Sequence, residues 1–361
     1  MNKWSQLIQL MHSRAMPLGI GILHASVLFS SSPALSQNSL GSQQKLDLEE
    51  QLQIPLNNGI EGEPRNEADL LLRLGGQARK SGNLEKAIAY WVQARDLYQQ
   101  IGDFEGLGLT YDYLGLTYAN LGRYPEAEEA LRRRLGVARY TKDFGGQIFG
   151  LNNLGTILLQ AGNIEAASVS FTEALDIART IKNREGEGLS LNNLGLVATI
   201  EGNYFQAIKH YESALVLRRR LGDSLAEANT QNNLADVYFA LKQYRDAGIE
   251  YGVAFQLAKD SRDIPNQFRA LRGMVQSYGI TGPESLAFKY LNQHFTLAQE
   301  QKNQREELIS LRLYAQLYKG KGDLANARIF YERAIALANS LGDSGEEAFL
   351  RNDLAQILFV R

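Results

Sequence analysis

The chain of 361 residues carries 38 basic and 40 acidic side chains, 7 prolines and no cysteine. Without cysteine it can form no disulfide, no thiolate metal site and no thiol nucleophile. Its net charge of −2 gives no sign of a polyanionic partner, so nucleic acid is not expected.

The first 36 residues differ from the rest. Lys3 and Arg14 are the only charged side chains among them, an apolar stretch covers residues 15–29, and Ser30-Ser-Ser-Pro-Ala-Leu-Ser36 follows. A positive start, a short apolar centre and small residues at Ala34 and Ser36 read as a secretory signal cut before Gln37. The apolar stretch is shorter than the ~20 residues of a spanning helix and contains Pro17 and His24, which argues against an uncleaved anchor. The mature chain is therefore expected outside the cytoplasm. Residues 37–65 are rich in Gln, Asn, Ser, Gly and Glu without a sustained helical period, and read as a flexible linker.

From residue 66 to residue 361 the chain repeats every forty residues. Alanine recurs at Ala87, Ala127, Ala167, Ala207, Ala247, Ala287 and Ala327. Five residues before it stands Gly82, Gly122, Gly162, Gly202, Lys242, Gly282 and Gly322. Seven before that comes Gly75, Gly115, Gly155, Gly195, Ala235, Val275 and Ala315, usually after a leucine. Four residues past the alanine is a large side chain: Trp91, Leu131, Phe171, Tyr211, Tyr251, Leu291 and Tyr331. The next place three residues on is alanine in five units, broken by Arg134 and His294.

A small and a large residue four apart share one helix face, where the small one admits a neighbouring backbone and the large one fills the space beside it. The intervening glycine suits a left-handed helix end. Asp103, Asp143, Asn183, Asp223, Asp263, Asn303 and Asp343 suit helix caps between units, with capping-box spacing at Asn303/Glu306 and Asp343/Glu346. Asn66 is expected to cap the first unit. The pattern predicts helices near 67–81 and 84–101, recurring every forty residues, with a lone helix at the end. In the sixth unit Gly273, Gly282-Pro283 and His294 predict a local irregularity.

This pattern resembles the tetratricopeptide repeat, whose signature is Leu-Gly, then Tyr (here Tyr118, Tyr238, Tyr278 and Tyr318), then Ala and a large aromatic. The resemblance implies an all-α fold, a right-handed superhelical solenoid of antiparallel helix pairs with seven repeats and a terminal helix. The long period and the Leu-Asn-Asn-Leu-Gly segments are similar to the subgroup of kinesin light chains and spindle-orientation adaptors, and to many bacterial, notably cyanobacterial, assembly and signalling proteins.

No chemistry stands out along the chain. Beyond the signal only His210 and His294 remain as imidazoles, and no phosphate loop, nucleophile elbow or calcium loop occurs, so neither a metal, a cofactor nor catalysis is expected. The two Leu-Arg-Arg-Arg-Leu-Gly segments at 131–136 and 217–222 are out of phase with the repeat and read as solvated faces.

The resemblance places binding on the first helix of each unit, which lines the groove. Asn152, Asn153, Asn192, Asn193, Asn232 and Asn233 precede the leucine there, and in similar families such asparagines grip the main chain of an extended peptide. An amide offers donor and acceptor together, matching a backbone, although one amide of each pair can equally bond between repeats. Arg269, Arg272 and Arg312 hold corresponding places farther along and suit an acidic segment or a terminal carboxylate. The expected function is a non-enzymatic exported scaffold or assembly factor. It would hold a segment or tail of another protein and, through that protein, associate peripherally with a membrane complex such as photosystem II. The compartment would be the periplasm, or the thylakoid lumen in a cyanobacterium. Delivery of a metal or small molecule, and regulation of a separate enzyme, are the alternatives.

Overall fold

The computed structural model describes residues 63–358, so the expectations for residues 1–36 and 37–62 lie outside the described residues. Among the described residues there are fifteen α-helices and no strand. They fall into two compact units, described residues 63–202 and 203–358. The first unit holds α1 (Glu63–Lys80), α2 (Leu84–Ile101), α3 (Phe104–Asn120), α4 (Tyr124–Tyr140), α5 (Phe144–Gln160), α6 (Ile164–Thr180) and α7 (Arg184–Ile200). The second holds α8 (Tyr204–Leu221), α9 (Ser224–Ala240), α10 (Tyr244–Asp260) and α11 (Ile264–Thr281). It continues through α12 (Glu284–Glu300), α13 (Gln304–Lys321), α14 (Leu324–Ser340) and α15 (Ser344–Leu358). Within each unit successive helices pack as antiparallel neighbours, the all-α repeat solenoid that the forty-residue period predicts. No described helix is long and apolar enough to cross a membrane.

Short turns with definite chemistry set the helix lengths. Gly82, Gly122, Gly162, Gly202 and Gly322 close first helices with φ between 72° and 85°, and Lys242 takes the same left-handed place at φ 64°. All seven predicted caps between units accept a bond from the backbone N–H three residues on, from Asp103 with Gly106 (3.0 Å) to Asp343 with Glu346 (3.1 Å). The capping boxes are half present: Asn303 and Asp343 cap, while the Glu306 and Glu346 carboxylates turn away to arginines of the preceding first helix.

The ruler alanines are fully buried in every unit. Glycines make room for the large side chains that follow them. A Cβ on Gly75, Gly115 or Gly155 would lie 2.2, 2.8 or 2.5 Å from Trp91, Leu131 or Phe171 respectively. Trp91 adds an N–H bond to the Leu72 carbonyl at 3.1 Å.

Three expectations change. The first helix starts at Glu63, so residues 63–65 are helical and not linker, and Asn66 lies inside the helix instead of capping it. Pro64 fits a first turn because it has no N–H to satisfy, and Arg65 is buried against Asp103 at 3.2 Å. Gly273 does not interrupt α11. It gives Tyr251 its space, since a Cβ there would lie 2.4 Å from the ring. The irregularity of the sixth unit is confined to its turn, where Gly282 is not left-handed (φ −104°) and Pro283 occupies the cap without a side-chain bond.

Candidate functional site

The six asparagines sit on α5, α7 and α9 as the register predicts, but the structure buries them. Their exposures run from 0 to 5%, so amides expected to grip a peptide are not open to one in this arrangement. In the first unit Asn152 donates to the Ile148 carbonyl and to Ser190 Oγ on α7, both at 2.9 Å. Its Oδ1 accepts from Asn193 Nδ2 at 2.9 Å, and Asn192 donates to Asn193 Oδ1 at 3.3 Å. Asn153 faces the buried Asp112 carboxylate of α3 and acts to lower its pKa. Burial raises the Asp112 carboxyl above its usual range, opposed by the Arg134 guanidinium 2.8 Å away. The same donor and acceptor that suit a peptide backbone tie one first helix to the next.

The second unit has a line of its own, of mixed amides and ions. Asn232 donates to Asn266 Oδ1 at 3.0 Å, and Asn233 to Asn229 Oδ1 at 3.4 Å. Arg269 reaches back from α11 to Asn233 Oδ1 (2.7 Å) and to Asp236, which also accepts the Tyr251 hydroxyl. Burial, then the Asp236 charge, push the Tyr251 phenol well up. Arg272 pairs with Glu306 at 3.3 Å and Arg312 with Glu346 at 2.8 Å, each pair thirty-four residues apart and bridging successive first helices. The three arginines are therefore brought to the inner helices but arrive already paired, with side chains 11, 34 and 30% exposed.

Two participants stand where most units have alanine. Arg134 leaves α4 and passes against Gly108 and Gly146 to reach Asp112 at 2.8 Å and Asp143 at 3.4 Å; a Cβ on Gly146 would meet its Nη2 at 2.4 Å. His294 leaves α12, fully buried, with Nδ1 2.7 Å from Ser310 Oγ and Nε2 3.3 Å from Glu306. Burial lowers the His294 pKa, with Glu306 acting in the opposite sense. Burial would raise the Glu306 carboxyl, but the nearby His294 and Arg272 outweigh it and hold it below the ordinary value. The signal for both residues is visible in the sequence as the two breaks in an alanine column. Their polar destinations are not, because those lie on first helices distant in sequence. Among the described residues no group of three or more His, Asp or Glu is placed to hold a metal ion.

Models of the tetratricopeptide repeat match residues 66–139 and 186–260, and further ones match 150–181 and 313–341. No curated protein matches the sequence. Among solved structures, a signal-transduction ATPase with a tetratricopeptide repeat sensor from Pyrococcus horikoshii is similar at TM-score 0.61 and 20% identity. The similarity covers 79% of this chain and 44% of the ATPase chain, so this chain spans less than half of that protein. The apo form of RapI aligns at TM-score 0.58 and 15% identity over 77% of this chain and all of its own. A Rap conjugation gene regulator of plasmid pLS20, solved with the Phr* peptide, aligns at 0.54 and 17% over 81% of this chain and 82% of its own. At these identities the likeness is one of fold.

Proposed function

The chain belongs to the tetratricopeptide-repeat family, and from that premise we propose that it is a non-enzymatic scaffold whose first helices hold an extended segment of another protein. The observation that carries this reading is the line of amides and ion pairs shared between successive first helices. It runs over α3, α5 and α7 in one unit and over α9, α11, α13 and α15 in the other. Such a line offers closely spaced donors and acceptors that can be exchanged for those of a peptide main chain. The pLS20 regulator, which has this fold, is described in complex with a peptide. The segment would enter by displacing bonds between helices instead of meeting open side chains.

Export through residues 1–36 is part of the same proposal, supported by the charge and apolar pattern of that stretch. A pull-down from the native membrane fraction, with residues 37–361 as bait, tests the function. Hydrogen exchange of the complex is expected to show new protection on α5, α7, α9, α11 and α13. Protection confined to α6, α8, α10, α12 and α14 overturns the assignment of the binding face. Recovery of components of one membrane complex supports an assembly role.

A further inference from the structure

In the first unit the chain enters the described structure beside an exposed apolar edge. α1 starts at Glu63, and Arg65 in its first turn lies 3.2 Å from Asp103, the cap of α3. The entry is therefore on the edge where second helices end and the next first helices begin. Phe104, Tyr140, Phe144 and Ile181 stand on that edge, at the α2–α3, α4–α5 and α6–α7 turns, with exposures of 39, 73, 49 and 40%. The Phe104 and Tyr140 rings are 4.9 Å apart, so successive turns share one aromatic surface. The repeat itself does not require rings here, since the places of Phe104 and Phe144 are taken farther along by Arg184, Ser224, Ile264 and Gln304. Single exposed apolar residues are ordinary, but a contiguous row of them marks a contact surface.

Charge on this edge is graded as well. Lys142 and Lys182 occupy left-handed turn positions at φ 56° and 59°, where Gly102 and Gly222 stand in the flanking units. A lysine in this conformation is uncommon, and neither pairs with a carboxylate among the described residues. The capping acids beside them are engaged inward, Asp103 with Arg65 and Asp143 with Arg134 at 3.4 Å. Glu105, next to Phe104, stays exposed. The edge thus runs from rings at the chain entry to free cations two and three first helices away. The sequence ahead of α1 has the complementary order. Reading back from Glu63, Leu56, Ile54 and Leu52 come first and Glu50, Glu49 and Asp47 follow. Leu52, Ile54 and Leu56 alternate with other residues and so share one side of an extended segment, and Pro55 biases Ile54 towards that conformation. The chain from Glu63 back to Leu56 can span at most ~25 Å. First helices packed roughly 10 Å apart put the start of α5 about 20 Å from that of α1, within this reach.

We propose that this edge is a docking surface for the chain's own residues 46–56. Leu52, Ile54 and Leu56 cover the rings of Phe104, Tyr140 and Phe144, and the acids at 47, 49 and 50 reach Lys142 and Lys182. The contact shields the exposed apolar edge at the start of the repeat array, as capping segments do in repeat proteins. It uses the helix turns and not the first-helix line, so it stands independently of the scaffold reading.

Because the chain has no cysteine, Gln53→Cys with Thr141→Cys places two nitroxide labels at those points alone. Pulsed dipolar spectroscopy of the full chain is expected to give a single narrow distance distribution. Leu52→Asp with Ile54→Asp is expected to broaden it, as is Tyr140→Ser with Phe144→Ser. Lys142→Glu with Lys182→Glu is expected to broaden it less. A broad distribution in the parent, unchanged by Leu52→Asp with Ile54→Asp, overturns the proposal. These two substitutions touch no described helix, so that arm stands even where an edge variant fails to fold. A mixture of chains bearing one label each reads contact between copies, and a dipolar signal there gives the edge to a second copy and overturns the proposal too. A broad parent distribution with binding to anionic vesicles that Tyr140→Ser and Phe144→Ser abolish gives the edge to a membrane surface instead. Any of these failures leaves the first-helix scaffold untouched.

Discussion

His294 stands in an alanine column, yet it is fully buried with its two ring nitrogens beside Ser310 and Glu306. Burial lowers its pKa below the ordinary 6.5, so the fold favours the neutral ring. The stability this provides is complete above the unfolded value of 6.5 and is lost as pH falls through it towards the folded pKa. Melting temperature is therefore expected to fall more steeply on acidification to about pH 5.5 in the parent chain than in His294→Ala. Parallel pH profiles would remove the histidine from this role. Arg134 in the same column makes a contrasting case, because its partner Asp112 is buried and ionisable. Arg134→Ala restores the residue found in most units but leaves that carboxylate without its cation, and is expected to cost about 3–5 kcal/mol in denaturant unfolding. Adding Asp112→Asn should recover part of the loss. A variant as stable as the parent would show the pair to be dispensable. Both residues were legible as departures from the repeat; the residues they reach were not, since Asp112 and Arg134 are neighbours only through the packing of α3 on α4.

Helix ends and crossings were the most readable elements. Seven caps and seven buried alanines follow directly from a forty-residue period, because each repeat must place a polar acceptor at the same helix start and a small residue at the same crossing. Ala167 packs within a cluster that includes Leu131, Leu154 and Phe171. Ala167→Trp is expected to overpack this crossing and destabilise the chain by ~1–3 kcal/mol, read as a lower melting temperature. An unchanged melting temperature would mean that the crossing has spare volume. The start of α1 was missed because Asn66 reads as a helix cap, whereas the helix already includes Pro64, which suits a first turn. The continuity of α11 through Gly273 was missed for a different reason. Glycine lowers helix propensity locally, but the Tyr251 ring requires its missing side chain.

For the molecule as a whole, export is the property that the described helices leave to experiment. Amino-terminal sequencing from the native host is expected to find Gln37 first, and a cytoplasmic chain beginning at Met1 would overturn it. The sequence by itself determined the repeat, the helix order, the turn chemistry and the family, because a strict period repeats the same local physics in every unit. It also named the asparagines and arginines of the inner line. Only the tertiary structure decided what those side chains do with their hydrogen bonds. Asn152 and Asn153 are adjacent on α5, yet one binds Ser190 ahead of it and the other faces Asp112 behind it. Which way an amide turns depends on what the neighbouring helix presents, some thirty to forty residues away, and on how closely the two backbones approach.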